Sequence, residues 1–257
     1  MEKKKQMCIG KTIISICLVC LSIFNSTACG RPANQEPQTL DEILIALEHS
    51  HEEVAQARNE LNELFNAGYG YNHAKVKAAE DREARAMAKC NHYSDTWDIY
   101  TAEYPIAASV WQFLRIDCGY SPEVAAGILG NMMVECGGLT LNLQWDIYNA
   151  SKHYGLCQWS SKYYPELQGA SLREQLDFLK VSIVDVMNRY GKDYKKGFNH
   201  DKFVALTDCR TAAHVFSLVY ERPGTNSTRR QNCAETALKY FTAKLGSVTD
   251  LTTENPN

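Results

Sequence analysis

The sequence has no excess of basic charge, which argues against a large class of functions. Its 257 residues carry 27 Lys and Arg against 30 Asp and Glu, which gives a formal net charge of −3. Proteins that bind nucleic acid concentrate positive charge on one face, so this balance argues against nucleic acid as the main partner. It also argues against electrostatic capture of the protein at an anionic surface.

The sequence also lacks a recognisable metal-ligand pattern and an internal repeat. Four histidines, His49, His51, His73 and His92, fall in one region, but their spacing is irregular. Metal sites have characteristic ligand spacings, so we interpret these residues as solvated histidines on helix faces. We therefore predict neither a metal nor an organic cofactor.

The N-terminal apolar run is too short to span a bilayer comfortably. It covers 13 residues, Thr12 to Phe24, and four lysines precede it, whereas a spanning helix needs about 20 residues. Small residues, Ser26 to Ala28, come directly after the run. This arrangement is typical of a secretory signal, which we predict over residues 1–28; the alternative is an uncleaved anchor.

The cysteines suggest how the chain is anchored. Cys29 follows the small residues directly and resembles the lipidated cysteine of a bacterial lipobox, with Ser26 where that pattern usually has Leu. We therefore expect a secreted protein, lipid-anchored at a bacterial surface, which meets the membrane only through its N-terminal signal or lipid. An even number of cysteines lies beyond Cys29, as expected where disulfides form: Cys90, Cys118, Cys136, Cys157, Cys209 and Cys233.

Beyond a polar linker at 29–39, residues 40–99 have a helical pattern. Apolar residues recur in steps of four and three from Leu40 to Phe65, and His51 and Arg58 interrupt the stripe. The segment 68–72 breaks the pattern, and an Ala-rich charged helix runs from about His73 to Lys89. These features predict a helical hairpin or stalk, with self-association possible through residues 40–90.

A second segment, 100–246, contains a helix that ends in a carboxylate, and residues 247–257 form a polar tail. Ser121 and Pro122 are good residues for a helix start, and Gly137 is a typical stop. Glu135 falls in the last turn of this mostly apolar helix. Burial and the helix dipole both raise a carboxylate pKa, so Glu135 is a candidate general acid; the alternative is a Glu held in a structural network.

The stretch after this helix changes its period. Leu139, Leu141 and Leu143 alternate with polar residues, which predicts a short strand that ends just before Asp146. Aromatic and amide side chains come next, and this mixture suits sugar binding and nearly as well the edge of a core: Tyr148, Tyr154, Gln158 and Trp159.

Helical patterns then resume. Ser171 to Glu174 is a capping box, and two further helical stretches run from about Arg210 to Tyr220 and from Ser227 to Leu245. The fold class is therefore mainly α, with a small β element. The functional site is expected in a cleft between the helices and this element.

Three ordered motifs carry a resemblance to a known family. They are SPEVAAGILGNMMVECGG, GLCQWS and VYERPGTNSTRRQNCAETALKYF. In this order and at these separations they resemble the phage tail-type lysozymes, which belong to the lysozyme-like peptidoglycan glycosidases. The resemblance covers about Tyr104 to Lys244. Cys136 stands where that family usually has Ser, and Cys157 falls inside its G-x-x-Q-W turn.

The resemblance implies roles for individual residues. Glu135 would be the catalytic acid, and Gly155, Gln158 and Trp159 would help to build the cleft. Glu221 lies on the late motif, with a structural or substrate-orienting role, and the neighbouring Tyr154 and Tyr220 are further candidates for substrate binding. If the Glu135 helix end meets the GLCQW turn, Cys136 and Cys157 would be neighbours able to form a disulfide.

The implied activity is cleavage of the β-1,4 bond between N-acetylmuramic acid and N-acetylglucosamine in peptidoglycan glycan strands. Asp146 is the candidate second carboxylate of a hydrolase; without one, the enzyme would be a lytic transglycosylase. The same domain would also suit a binding module that has lost activity, or a wall-opening component of a secretion or conjugation machine. A cysteine peptidase would use Cys157 with His153 or His214, but no local peptidase motif is present.

Overall fold

The computed structural model describes residues 36–143, 152–222 and 227–245. These residues form a mainly α fold with one small antiparallel sheet, as the sequence predicts. The strands are β1 (His153–Tyr154) and β2 (Trp159–Ser160), and Tyr154 pairs with Trp159. The α-helices are α1 (Leu40–Asn66), α2 (Ala74–Thr101), α3 (Pro105–Gln112), α4 (Pro122–Cys136), α5 (Leu172–Tyr190), α6 (His200–Val204), α7 (Cys209–Phe216) and α8 (Ser227–Thr242).

Helices α1 and α2 form the predicted hairpin. Thr39 and Glu42 make a reciprocal capping box at the start of α1, which satisfies otherwise unpaired amides. The apolar stripe is buried, whereas the interrupting His51 and Arg58 are exposed. Arg58 instead bonds to Glu83 of α2 at 2.7 Å. Helix α2 extends to Thr101, twelve residues beyond the predicted end at Lys89.

The base of the hairpin packs into the same core as the rest of the described chain. The Trp111 ring of α3 stacks on Phe241 of α8 with centroids 4.3 Å apart, and Trp97 of α2 lies on the same phenylalanine. Asp41 of α1 accepts hydrogen bonds from Arg115 and from the Trp111 indole. Polar and apolar contacts therefore join α1 and α2 to this core.

Helix α4 lies at the centre of that core, and two glycines let its neighbours approach closely. A Cβ atom at Gly127 would lie 2.5 Å from the Ala212 Cβ of α7, and one at Gly130 would lie 2.4 Å from the Ala234 amide nitrogen of α8. Asn131 donates to the Ala213 carbonyl at 3.0 Å. Close backbone contacts therefore fix α4 between α7 and α8.

The ends of α4 agree with the sequence prediction. The Ser121 hydroxyl accepts from the Val124 amide at 3.2 Å, and Pro122 occupies the first helical position. At the other end Gly137 takes a left-handed conformation, with φ 85°, which glycine adopts without strain. The helix therefore ends at Cys136, one residue after Glu135.

The strand predicted over 139–143 is wrong. Gly138–Thr140 forms a 3-10 turn, and Leu141 has a left-handed φ of 45°. Gly137 and Gly138 both have positive φ, so the backbone turns back at once: the Asn142 amide bonds to the Cys136 carbonyl at 2.8 Å. The alternating leucines therefore lie in a turn and not in a strand, and Leu141 is the one that is fully buried.

The later helices agree with the prediction from sequence, with one local difference. Ser171 and Glu174 form the predicted capping box of α5. The stretch predicted as one helix from Arg210 to Tyr220 is α7 followed by a π-helical turn, Ser217–Glu221. Such turns are frequent at functional sites. None of the helices within the three described ranges is long and apolar enough to cross a membrane.

Candidate active site

Glu135 lies at the C-terminal end of α4 and pairs with an arginine of α8. Arg230 Nη2 bonds to Glu135 Oε1. The Glu135 side chain is 20% exposed and the Arg230 side chain 6%. The carboxylate therefore faces the surface on one side and a buried guanidinium on the other. This ion pair is the structural role considered for Glu135 in the sequence analysis, and the exposed side leaves the carboxylate accessible for a catalytic role as well.

Glu221 places a second carboxyl beside the first. It ends the π-helical turn, and the chain leaves through Arg222 in a left-handed conformation, φ 51°. Burial, and next the charge of Glu135, raise the Glu221 pKa to about 8, against opposing effects of Cys157 and Arg230. At neutral pH this carboxyl therefore holds its proton. The structure thus shows a raised pKa at Glu221, an acid for which the sequence did not predict one.

A tight turn between the two strands forms the next part of the wall. Gly155 has φ 74°, and a Cβ atom there would lie 2.3 Å from Gln175 Oε1. That oxygen accepts the Leu156 amide at 2.9 Å. Gln158 is also left-handed, φ 50°, and bonds to the Gly155 carbonyl at 3.0 Å. Helix α5 therefore holds this turn through one buried glutamine.

The turn packs against the end of α4, as the resemblance implies, but without the expected disulfide. Cys136 Sγ donates to the carbonyls of Gly155 at 3.3 Å and Leu156 at 3.6 Å. Cys157 is also a thiol, and it lies beside Glu221. The two sulfurs are not bonded to each other: Cys136 contacts backbone carbonyls, and Cys157 lies near both Glu221 and Cys136.

These elements enclose a cavity of about 500 Å³ with a mixed lining. Its aromatic part is fixed by hydrogen bonds, because the Trp159 indole donates to the Tyr220 hydroxyl at 3.1 Å and that hydroxyl lies 2.6 Å from Ser182 Oγ. Tyr164 packs edge-on against Phe178. The lining residues are Glu135, His153, Cys157, Gln158, Trp159, Ser160, Tyr164, Tyr220, Glu221 and Arg222.

Most of the predicted site residues meet here. Of the substrate-binding candidates within the described ranges, Tyr154 and Gly155 do not line the cavity. Tyr154 pairs with Trp159 in the sheet, and Gly155 shapes the turn. Asp146, Tyr148 and Cys29 lie outside the described residues. The four histidines considered as metal ligands are exposed, and the described ranges hold no cluster of three or more metal-ligating side chains.

Several residues of the site were not found from the sequence, and Ser160 and Arg222 of the cavity lining are two of them. Arg230 and Gln175 are buried polar residues on helices far along the chain from their partners, and Tyr164 lies at the rim. A buried arginine implies an anionic partner, but the sequence does not say which acid it meets. The only signal was the arginine-containing helix that comes after the late motif.

The comparisons with known proteins identify the family of this chain. Residues 105–241, more than half of the chain, match the family model described as phage tail lysozyme. Neither the curated proteins nor the solved structures contain a match to the chain. The matched range includes Glu135, the turn at 155–158, Glu221 and Arg230. The chain therefore belongs to the phage tail lysozyme family and is a lysozyme-like peptidoglycan hydrolase.

Proposed function

We propose that the protein cleaves the β-1,4 bond between N-acetylmuramic acid and N-acetylglucosamine, with Glu135 as the general acid. The observation that supports this is the meeting of two carboxyls, Glu135 and Glu221, at one cavity with an aromatic and amide lining. Glycosidases need a carboxylic acid that protonates the leaving oxygen. A site that holds one proton between two carboxyls at neutral pH meets this need.

Glu135 is the carboxyl that a glycan reaches. Its side chain is 20% exposed at the end of α4, whereas the Oε1 atom of Glu221 is shielded from solvent. A general acid must lie within hydrogen-bond distance of the atom that it protonates. We therefore assign the donation to Glu135 and a supporting role to Glu221.

The cavity lining suits a sugar chain. The Trp159 and Tyr164 rings offer apolar faces for the CH groups of pyranose rings, and Gln158 and Ser160 supply hydrogen-bonding groups. Gln158 is held by its bond to Gly155. We propose that these residues orient the glycan so that its glycosidic oxygen meets Glu135.

Hydrolysis and transglycosylation differ in the step after protonation. A hydrolase positions a second carboxylate as nucleophile or base, and Asp146 stays our candidate for this role. In a transglycosylase the sugar's own hydroxyl closes an anhydro ring. The products distinguish the two reactions, because hydrolysis leaves a reducing end and transglycosylation leaves an anhydro end.

The cysteine peptidase alternative has less support. Burial raises the Cys157 pKa well above its ordinary value, and the nearby Glu221 carboxyl raises it further. A catalytic cysteine needs the opposite surroundings, which favour the thiolate. His214, one of the two candidate bases, instead packs edge-on against Tyr194.

We also propose that the enzyme works outside the cytoplasmic membrane, held by a lipid on Cys29. The apolar run and the small residues before Cys29 support this proposal. A wall-opening role in a secretion or conjugation machine uses the same activity. In cell fractionation, Cys29→Ala should release the protein from the membrane fraction or block its processing; an unmodified mature N-terminus at another residue would contradict the anchor.

Mass spectrometry of muropeptides tests the glycosidase proposal. Purified peptidoglycan should yield fragments that end at N-acetylmuramic acid. Glu135→Gln should lower the rate roughly 10²–10⁴-fold, the usual contribution of a positioned general acid. Glu123→Gln, at the opposite end of the same helix, is the matched control and should cleave at nearly the wild-type rate. Normal cleavage by Glu135→Gln, or fragments cut only in the peptides, would refute the proposal.

A further inference from the structure

Arg230 and Glu221 each leave a buried polar atom without a hydrogen-bond partner. Arg230 Nε and Glu221 Oε1 are both shielded from solvent, and neither has a partner within the described part of the chain. A buried polar group without a hydrogen-bond partner destabilises the folded state. One atom is a donor and the other an acceptor, and Arg230 is close enough to Glu221 to oppose the rise of its pKa. The cluster therefore contains one buried donor, Arg230 Nε, and one buried acceptor, Glu221 Oε1, that could bond to each other.

We propose that Arg230 is a positioning residue that exchanges Glu135 for Glu221 when the glycan binds, while the proton of Glu221 passes to Glu135. This inference rests on the proposed function, in which Glu135 protonates the glycosidic oxygen. The O–H bond of Glu221 breaks, an O–H bond forms on Glu135, and no electrons are exchanged. The guanidinium remains charged and pairs with whichever carboxyl is ionised.

Charge balance makes the exchange feasible inside a buried site. Before it, the cluster holds one cation on Arg230, one anion on Glu135 and a neutral Glu221; afterwards the anion is on Glu221. The net charge is unchanged, so no uncompensated charge is buried, which would be costly. The exchange also gives the two unsatisfied atoms partners and frees Glu135 from its ion pair on the side of the cavity.

The other charged groups around Glu221 do not replace Arg230. Arg222 bonds to Asp193 at 3.2 Å and lies 3.8 Å above the Tyr190 ring. The titratable and charged groups that face the cluster come from α4, β1, the 155–158 turn, the π-helical turn and α8, and they are Glu135, His153, Cys157, Tyr220, Arg222 and Arg230.

The pH dependence of kcat/KM on soluble glycan strands tests this role, because it reports groups of the free enzyme. Wild-type activity should fall as the pH rises through about 8, where Glu221 loses its proton. Arg230→Met removes the cation that favours ionised Glu221, so the alkaline limb should move up by roughly one to three pH units. The same variant should lose roughly 10²-fold in kcat, as expected when a catalytic group is misplaced, with a smaller change in KM.

Matched variants separate positioning from general damage. Arg230→Lys keeps the charge, so its alkaline limb should stay near the wild-type pH while kcat recovers only in part. Arg229→Met changes the exposed neighbour on the same helix and should behave as wild type. His153→Gln should leave the alkaline limb in place, because Glu221 and not His153 sets it.

Two results would overturn the inference while leaving the glycosidase proposal intact. One is an Arg230→Met profile with its alkaline limb at the wild-type pH. The other comes from carboxyl ¹³C NMR of the wild type, which also serves if the Arg230→Met variant does not fold. Binding of a non-cleavable glycan oligomer should move the signal of the protonated carboxyl from Glu221 to Glu135. A signal that stays at Glu221 would refute the exchange. Failure of wild-type enzyme to cut glycan at all would instead refute the proposed function.

Discussion

Asp41 and Arg115, 74 positions apart in the chain, form a two-bonded ion pair. Arg115 Nε donates to Asp41 Oδ1 at 2.6 Å and Nη2 donates to Oδ2 at 2.9 Å. Both side chains are largely buried, 11% and 13% exposed. The pair ties the first turn of the hairpin to the π-helical turn Phe113–Asp117 that comes after α3.

Asp41→Asn should destabilise the protein strongly. It leaves Arg115 charged and buried without a counter-ion, which costs about 3 kcal/mol or more in the free energy of unfolding. Thermal or urea unfolding measures the loss. Glu53→Gln, which breaks the exposed pair with Lys89, is the control and should unfold near the wild-type midpoint. Equal losses in the free energy of unfolding for the two substitutions would show that the buried ion pair stabilises the fold no more than the exposed one.

Gly130→Ala should destabilise the contact between α4 and α8. The new Cβ would lie 2.4 Å from the backbone nitrogen of Ala234, and backbone cannot move aside as a side chain can. Overpacking of this kind costs about 1–3 kcal/mol. Gly70→Ala, where a Cβ meets nothing within 4 Å, should leave the unfolding midpoint unchanged or slightly higher. A stable Gly130→Ala variant would contradict the close packing of these helices.

Glu221→Gln should change how stability depends on pH. The Glu221 pKa rises from 4.5 to about 8 on folding, so the folded state keeps a proton that the unfolded state releases. Below pH 4.5 this has no cost, but between 4.5 and 8 the group removes stability as pH rises. The glutamine variant lacks this loss, so its advantage over wild type should grow by up to a few kcal/mol across this window. Parallel stability curves would show that Glu221 ionises normally.

Cys157→Ala should leave the enzyme active. The thiol is buried and its pKa is raised, so it supplies no nucleophile, whereas loss of a catalytic cysteine would leave almost no activity. Cys157 opposes the rise of the Glu221 pKa, so the alkaline limb of kcat/KM should move upward. Inactivation of the wild type by a thiol-alkylating reagent, together with an inactive but folded Cys157→Ala variant, would favour the peptidase alternative.

Local signals in the sequence predicted the helices well. Ser121, Pro122 and Gly137 set the ends of α4, and Ser171 with Glu174 set the start of α5, because caps act within one helical turn. The strand over 139–143 failed for a local reason too. The alternation of Leu141 with its neighbours matches a strand, and only the left-handed backbone after Gly137 reveals the turn.

The ion pair and the raised pKa in the site could not be predicted from local sequence signals. Glu135 and Arg230 are 95 positions apart, and the pattern of neither helix indicates that they meet. The Glu221 pKa depends on burial and on Glu135, Cys157 and Arg230, which are distant in the chain, so local sequence did not predict that this carboxyl keeps its proton. Composition and spacing can nominate acids for a cleft, but desolvation decides which of them keeps its proton.

The β-bridge between Thr39 and Lys244 has a consequence for engineering. The Leu245 amide also bonds to the Gln38 carbonyl at 2.8 Å, so Gln38 and Leu245, near the two ends of the described chain, lie side by side. A short peptide can therefore join these two positions, and new ends can be opened in the exposed hairpin loop near Gly70. Such a circular permutant would carry the active site unchanged while separating it from any leader or anchor.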